Sequence, residues 1–210
     1  GSNEVLVYSD GGSTINNNNN INMTGSNNIA VYSVNGGTVT NIGNIDGSGG
    51  IGNIAAYNKG GSINNSGQLI LGDSNIISKN NTLLNDYAVG LYGENSAITN
   101  TGNIVVGKKI TDVNSRVENP SVAIYVENTK LDNNSNITVG EDGIAFYGKN
   151  SEINVTGGNV NFQNKGVLAY LEDSKFTSYL GNLNSTENTM IYLKNSEAKL
   201  NGRSEEHTSE

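Results

Sequence analysis

Apolar residues in this chain come in short alternating runs separated by Gly, Asn and Ser, and the runs recur at a near-constant spacing. Tyr92 is preceded by Val89 and followed by Ile98, then by Ile104 and Val106. Tyr125 is matched in the same way by Val122, Leu131, Ile137 and Val139, and Tyr147 by Ile144, Ile153, Val160 and Phe162. Apolar positions alternate with polar ones within each run, the period of two that a strand with one buried face requires. The pattern predicts three short strands per repeat, closed into a triangular coil. Helices are not supported, because apolar residues do not recur at three-and-four spacing and β-branched residues between Gly and Asn favour strands and turns.

Eight of the ten tyrosines mark one position of the repeat: Tyr8, Tyr32, Tyr57, Tyr92, Tyr125, Tyr147, Tyr170 and Tyr192, spaced by 24, 25, 35, 33, 22, 23 and 22. A period in this range marks a solenoid, in which each unit buries its apolar side against its neighbours. The predicted fold is all-β: a right-handed parallel β-helix of about eight coils, each of three short strands. The right hand follows from the crossover rule for parallel strands. Eight coils at the strand spacing of about 4.8 Å make a shaft about 38 Å long.

The register carries testable detail. Ile63, Ile98, Leu131, Ile153 and Phe176 should stack as one buried row. Asn65, Asn100 and Asn133 stand eight residues after the repeat Tyr, and Asn17 and Asn41 nine after it, which predicts an inward amide ladder. Val155, Ser178 and Leu200 replace it in the last copies. In the turn after Tyr, Asn95, Asn128, Asn150, Asp173 and Asn195 suit left-handed backbone. The charges flanking that turn invert at every step of the last four copies: Glu127 and Lys130, Lys149 and Glu152, Glu172 and Lys175, Lys194 and Glu197. Stacked coils then set opposite charges side by side, as a solvated, stabilising face.

Composition narrows the function. Hydrophobic residues make up 34% of the 210, Gly numbers 27, and Cys is absent, which excludes disulfides, thiolate metal sites and a Cys nucleophile. The net charge of −8, with no stripe of Lys and Arg, leaves no footprint for nucleic acid or anionic lipid. No apolar stretch is long enough to span a bilayer as a helix. Residues 1–202 form the continuous array. Arg203 to Glu210 (RSEEHTSE) share nothing with the repeats and look like an in-frame translation of a DNA-sequencing adapter, so they are expected to be a non-native tail. They hold the only histidine, His207.

Motifs for chemistry do not survive their context. Gly47-Ser48-Gly49-Gly50-Ile51-Gly52 fits a dinucleotide fingerprint, but a strand follows it and not a helix, so it reads as a loop. Glu141-Asp142 and Glu172-Asp173 are adjacent on turns and point apart, unlike a glycosidase pair. Asp10-Gly11 and Asp46-Gly47 lack the spaced ligands of a calcium loop. No catalytic residue, no metal and no cofactor is implied.

Units such as YAVGLYGENSAITNTGNIVVG (Tyr87 to Gly107) and IAAYNKGGSINNSGQLILG (Ile54 to Gly72) resemble the passenger repeats of large bacterial autotransporter adhesins, especially those of fusobacteria. The resemblance covers residues 4–202 and is one of repeat style. It implies a secreted, non-enzymatic β-helical passenger at the cell surface, anchored in the outer membrane through a C-terminal barrel outside this sequence, with roles in adhesion, aggregation and virulence. The implied partner is a protein or glycan on a host or bacterial surface, or a second copy, and neither nucleic acid nor membrane. Polysaccharide lyases and phage tailspikes share the architecture and are enzymes, so a polysaccharide-acting fragment is the alternative.

The fourth and fifth copies each carry about ten extra residues at one point, after Gly72 and after Gly107. Consecutive coils must set these inserts side by side. They hold the only Pro, the only Arg of the repeats and the pair Lys108-Lys109. Insertions that project from a solenoid often form its binding surface, so Ile76, Leu83, Lys108, Lys109 and Arg116 are the candidate binding residues.

Overall fold

The computed structural model of the protein describes residues 1–76, 87–112, 117–201 and 208–209. Three parallel sheets run the length of the chain. The first stacks Val5–Ser9, Ile29–Ser33, Ile54–Lys59, Val89–Glu94, Val122–Glu127, Ile144–Lys149, Val167–Glu172 and Thr189–Lys194. The second begins at Thr14–Asn17 and ends at Glu197–Leu200, and the third runs from Ile21–Asn22 to Asn182–Asn184. Each strand pairs with its counterpart one repeat away, so the chain is a parallel β-solenoid of about eight coils, and every repeat Tyr pairs with the next.

Inside the coils the predicted row is present. Val39, Ile63, Ile98, Leu131, Ile153 and Phe176 pair in sequence and are almost fully buried. Ile45, Leu69, Ile104, Ile137, Val160 and Leu183 form the matching wall of the third sheet. Burying each such side chain contributes about 1.5–3 kcal/mol.

The first sheet departs from simple alternation. Two consecutive residues, such as Ala55-Ala56 or Ala123-Ile124, belong to the interior cluster, which bends the strand. In the second to sixth coils the first of the two is Ala or Gly, and a Cβ on Gly90 would lie 2.5 Å from the carbonyl oxygen of Ala123; the seventh coil has Leu168 there. The bend turns the repeat Tyr, and the Ile or Val three residues before it, out of the coil. Tyr32, Tyr57 and Tyr92 form a second cluster with Ile29, Ile54, Val89, Val122 and Ile144. From Tyr32 to Tyr192 the rings stack face to face, their centroids 4.0–5.1 Å apart. An outer position suits a phenol, whose hydroxyl needs a polar partner when its ring is buried. Tyr57 finds one by donating to the Glu94 carboxylate of the next coil. Burial, with the neighbouring carboxylates and phenols, pushes the Tyr57, Tyr92 and Tyr125 hydroxyls well above the ordinary tyrosine range.

Polar ladders hold the corners. The side-chain nitrogens of Asn17, Asn41, Asn65 and Asn100 donate to the amide oxygen of the next Asn at 2.7–2.8 Å. Each also donates to the carbonyl oxygen two residues on in its own chain. The ladder stops at Asn133, whose Nδ2 is buried without a partner because Val155 occupies the next rung.

At the opposite end of the second sheet, Asn95, Asn128, Asn150, Asp173 and Asn195 have φ between 45° and 50°, the left-handed turn that a short polar side chain tolerates. A further ladder runs beside it, composed of Ser96, Thr129, Ser151, Ser174 and Ser196. Each of the last four hydroxyls accepts the backbone N–H of the preceding rung at 2.9–3.1 Å. All five donate to the carbonyl two residues back at 2.7–2.8 Å. Ser151→Ala leaves the buried Thr129 N–H unpaired, a loss expected to cost about 1–3 kcal/mol in urea unfolding. Ser151→Thr, which keeps the hydroxyl as Thr129 does, is expected to be near neutral.

Thr208–Ser209 lies as a short strand against Thr189–Lys194. Any segment within reach can pair with an open sheet edge, so this two-residue pairing follows from the edge and not from the repeat pattern. Residues 203–210 lie outside the repeat pattern.

Candidate functional site

Both inserts leave the coil at one corner, between the third sheet and the first. Gly107 N–H donates to Gly72 O at 3.0 Å, so the two points of departure sit on neighbouring coils. From there the chemistry of the repeat is replaced. Ile110–Asp112 and Val117–Asn119 pair antiparallel within the second insert, against the parallel order of the shaft.

The bases of the two inserts are braced to each other. Ser74 Oγ donates to Pro120 O at 2.8 Å and accepts the Ala88 N–H at 2.8 Å. Asn119 Nδ2 donates to Asn75 O at 2.6 Å, and Asp73 Oδ1 accepts the Lys108 N–H at 2.8 Å. Ser121 Oγ donates to Lys108 O at 2.9 Å. Asn75 also reaches Asn27 Oδ1 at 3.2 Å, tying the first insert to the second coil. Ser74, Ser121 and Asn119 are buried. These bracing residues were not among the sequence candidates. Their signal was present in the short polar residues Asp73-Ser74-Asn75 and Asn119-Pro120-Ser121 that open the first insert and close the second, but such residues are also ordinary turn formers.

The candidate residues divide by position. Lys108 is exposed and Ile76 half-buried, both beside this brace. Lys109 lies half-buried on the second insert, where its ammonium meets Glu118 at 3.3 Å and its backbone N–H donates to Glu141 O at 3.0 Å. With Glu118 largely exposed, that ion pair contributes well under about 1 kcal/mol and is easily exchanged for a ligand carboxylate. Leu83 and Arg116 lie outside the described residues. Among the described residues no group of three or more His, Cys, Asp or Glu is gathered as metal ligands.

A second surface runs along the turn after Tyr. Glu127, Lys149, Glu172 and Lys194 pair in one row, and Lys130, Glu152, Lys175 and Glu197 in the other. Between the rows Asn128, Asn150 and Asp173 border a shallow polar trough of about 650 Å³, which Thr129, Ser151, Lys130, Glu152 and Lys175 complete. The row is partly or fully exposed throughout, with Glu172 and Lys194 closed on each other at 3.3 Å.

The described residues therefore define a ladder-braced parallel β-solenoid with two insert roots braced together at one corner and a two-row charged strip at another. Comparison with known protein families, curated proteins and solved structures finds no match to this chain.

Proposed function

We propose that this chain is a non-catalytic, extracellular segment of a surface-anchored β-helical passenger, serving as a rigid scaffold that presents an adhesive protrusion. The observation that carries the reading is the brace between the two inserts. A neutral length variation needs no fixed shape, whereas the buried side chains of Ser74 and Asn119 hydrogen-bond to Pro120 O and Asn75 O and so hold the roots of both inserts to each other. Pre-ordering a loop lowers the entropy lost when it binds. Lys108, Lys109 and Ile76 then offer cationic and apolar contacts on an otherwise acidic protein, suited to a protein or glycan ligand on a host or bacterial surface.

The decisive variant replaces residues 73–88 and 108–121 each by Glu-Asp-Gly, the link that Glu141-Asp142-Gly143 makes in the sixth coil. Its solenoid should persist by far-ultraviolet circular dichroism. Adherence of cells or beads displaying it is expected to fall at least about tenfold, the share that losing about 1.4 kcal/mol of binding removes. Unchanged adherence with an intact fold overturns the proposal. Release of sugar products from polyuronates by the full chain would favour the enzyme reading instead.

A further inference from the structure

The charged strip has a symmetry that the insert proposal does not use. Its four coils read Glu127/Lys130, Lys149/Glu152, Glu172/Lys175 and Lys194/Glu197, with opposite signs across the turn and opposite signs along each row. We infer that this strip is a self-recognition surface whose partner is the same strip on a second copy of the chain.

The sign pattern decides the partner. Turn a second copy end over end about a two-fold axis crossing the strip, and each row faces itself in reverse order. Glu127 then meets Lys194, Lys149 meets Glu172, Lys130 meets Glu197 and Glu152 meets Lys175, so every facing pair is opposite in sign. With the two-fold along the shaft the rows exchange, Glu127 meets Lys130, and again every pair is opposite. A slip of one coil inverts them all. An isologous contact of this kind is the commonest form of self-assembly, and complementary charge fixes register more than it adds affinity.

The groups are available for it. Among the described residues Glu127, Lys130, Lys149, Glu152 and Lys175 close no ion pair within 4.0 Å, while Glu172 binds Lys194 and Glu197 binds Lys199 at 3.6 Å. All four members of the second row are exposed. The strip also has a defined beginning: one coil earlier Glu94 pairs in register with Glu127, a like-charged step, and the second row continues into Ala97.

A strip four coils long spans about 19 Å, too small for the roughly 1,000 Å² of a stable interface. The contact is therefore weak per copy and acts through multiplicity, as on a surface bearing many chains. The test uses beads densely coated with the full chain. Wild-type beads should cluster in low salt and disperse at about 1 M salt, where screening acts over about 3 Å. Gln at all eight positions should reduce clustering at least tenfold with the β fold retained by circular dichroism. Exchanging every Glu for Lys and every Lys for Glu in the strip keeps the symmetry and should cluster as wild type does. Wild-type beads that stay dispersed in low salt, Gln-substituted beads that cluster equally, or exchanged beads that fail to cluster would each overturn the inference. Insert deletion leaves this assay unchanged, so the two proposals fail separately.

Discussion

Asn100→Leu is expected to destabilise the protein by about 3 kcal/mol or more in urea unfolding. The change removes five hydrogen bonds at one buried point, one of them from Asn100 Nδ2 to Ser135 Oγ at 3.1 Å. Asn65 loses the acceptor of its side-chain N–H, Gly102 O loses its donor and Gly102 N–H its acceptor, and Asn133 Oδ1 loses the Asn100 amide. Each buried polar group left unpaired costs about 1–3 kcal/mol, and the extra apolar bulk of Leu offsets little in a site shaped for an amide. The cost should fall at the ends of the ladder. Asn133→Ala gives up an amide nitrogen that has no partner and an oxygen that accepts only from Asn100 and Ser135, and Asn17 is only half-buried, so both should cost below Asn100→Leu. Equal losses along the ladder would show that the amides do not act through these bonds.

Raising the pH past about 10 is expected to unfold the protein cooperatively. In the stack, the hydroxyls of Tyr57, Tyr92 and Tyr125 are raised above the ordinary value of 10.0 by burial, and by Glu94 and neighbouring phenols. The unfolded chain then releases these protons at lower pH than the folded one. Their contribution is full below pH 10 and is lost as pH climbs above it, by about 1.4 kcal/mol per tyrosine per pH unit at most. Three such groups can exhaust a stability of about 5–15 kcal/mol within a few pH units. Phenolate absorbance followed against circular dichroism checks this: the phenolate of the stack should appear together with loss of the β signal. Stack tyrosines that ionise near pH 10 while the β signal persists would contradict it.

Much of this fold was legible because a solenoid repeats its own evidence. One copy with Ile at the place of Ile98 proves little, but Ile63, Ile98, Leu131, Ile153 and Phe176 at the same offset fix the register, and the structure pairs them in that order. The amide ladder and the left-handed Asn column were legible for the same reason. Less legible was the outward turn of the tyrosines. Alternation places Val89 and Tyr92 on opposite faces of a straight strand, and the only signal of the bend is the small residue between them, Gly90 here and Ala in four other coils, which Leu6, Leu168 and Met190 break. The hydroxyl ladder was missed although Ser96, Thr129, Ser151, Ser174 and Ser196 each follow the turn Asn or Asp, because Ser and Thr also occur as plain turn residues. At the inserts, sequence placed the two segments together, and the structure adds the brace. Pairings there join Ser74 to Pro120 and Asn75 to Asn119, across 46 and 44 residues, and no repeat offset marks them.

The direction of the inter-coil hydrogen bonds has a mechanical consequence. In a parallel solenoid they point along the shaft, so a tether pulled lengthwise loads the bonds of one coil edge before those of the next. Such a shaft lengthens by peeling, coil after coil, and does not rupture by shearing all its strands together. Resistance at each step then comes from the side chains that also cross between coils. Coils joined by Asn41, Asn65, Asn100 and Asn133 carry an internal amide rivet in addition to the strand bonds, while those beyond Asn133 keep the hydroxyl ladder but not the rivet. Under tension the region after the fifth coil should yield first, extending the tether in small increments while the braced coils that carry the inserts keep their shape.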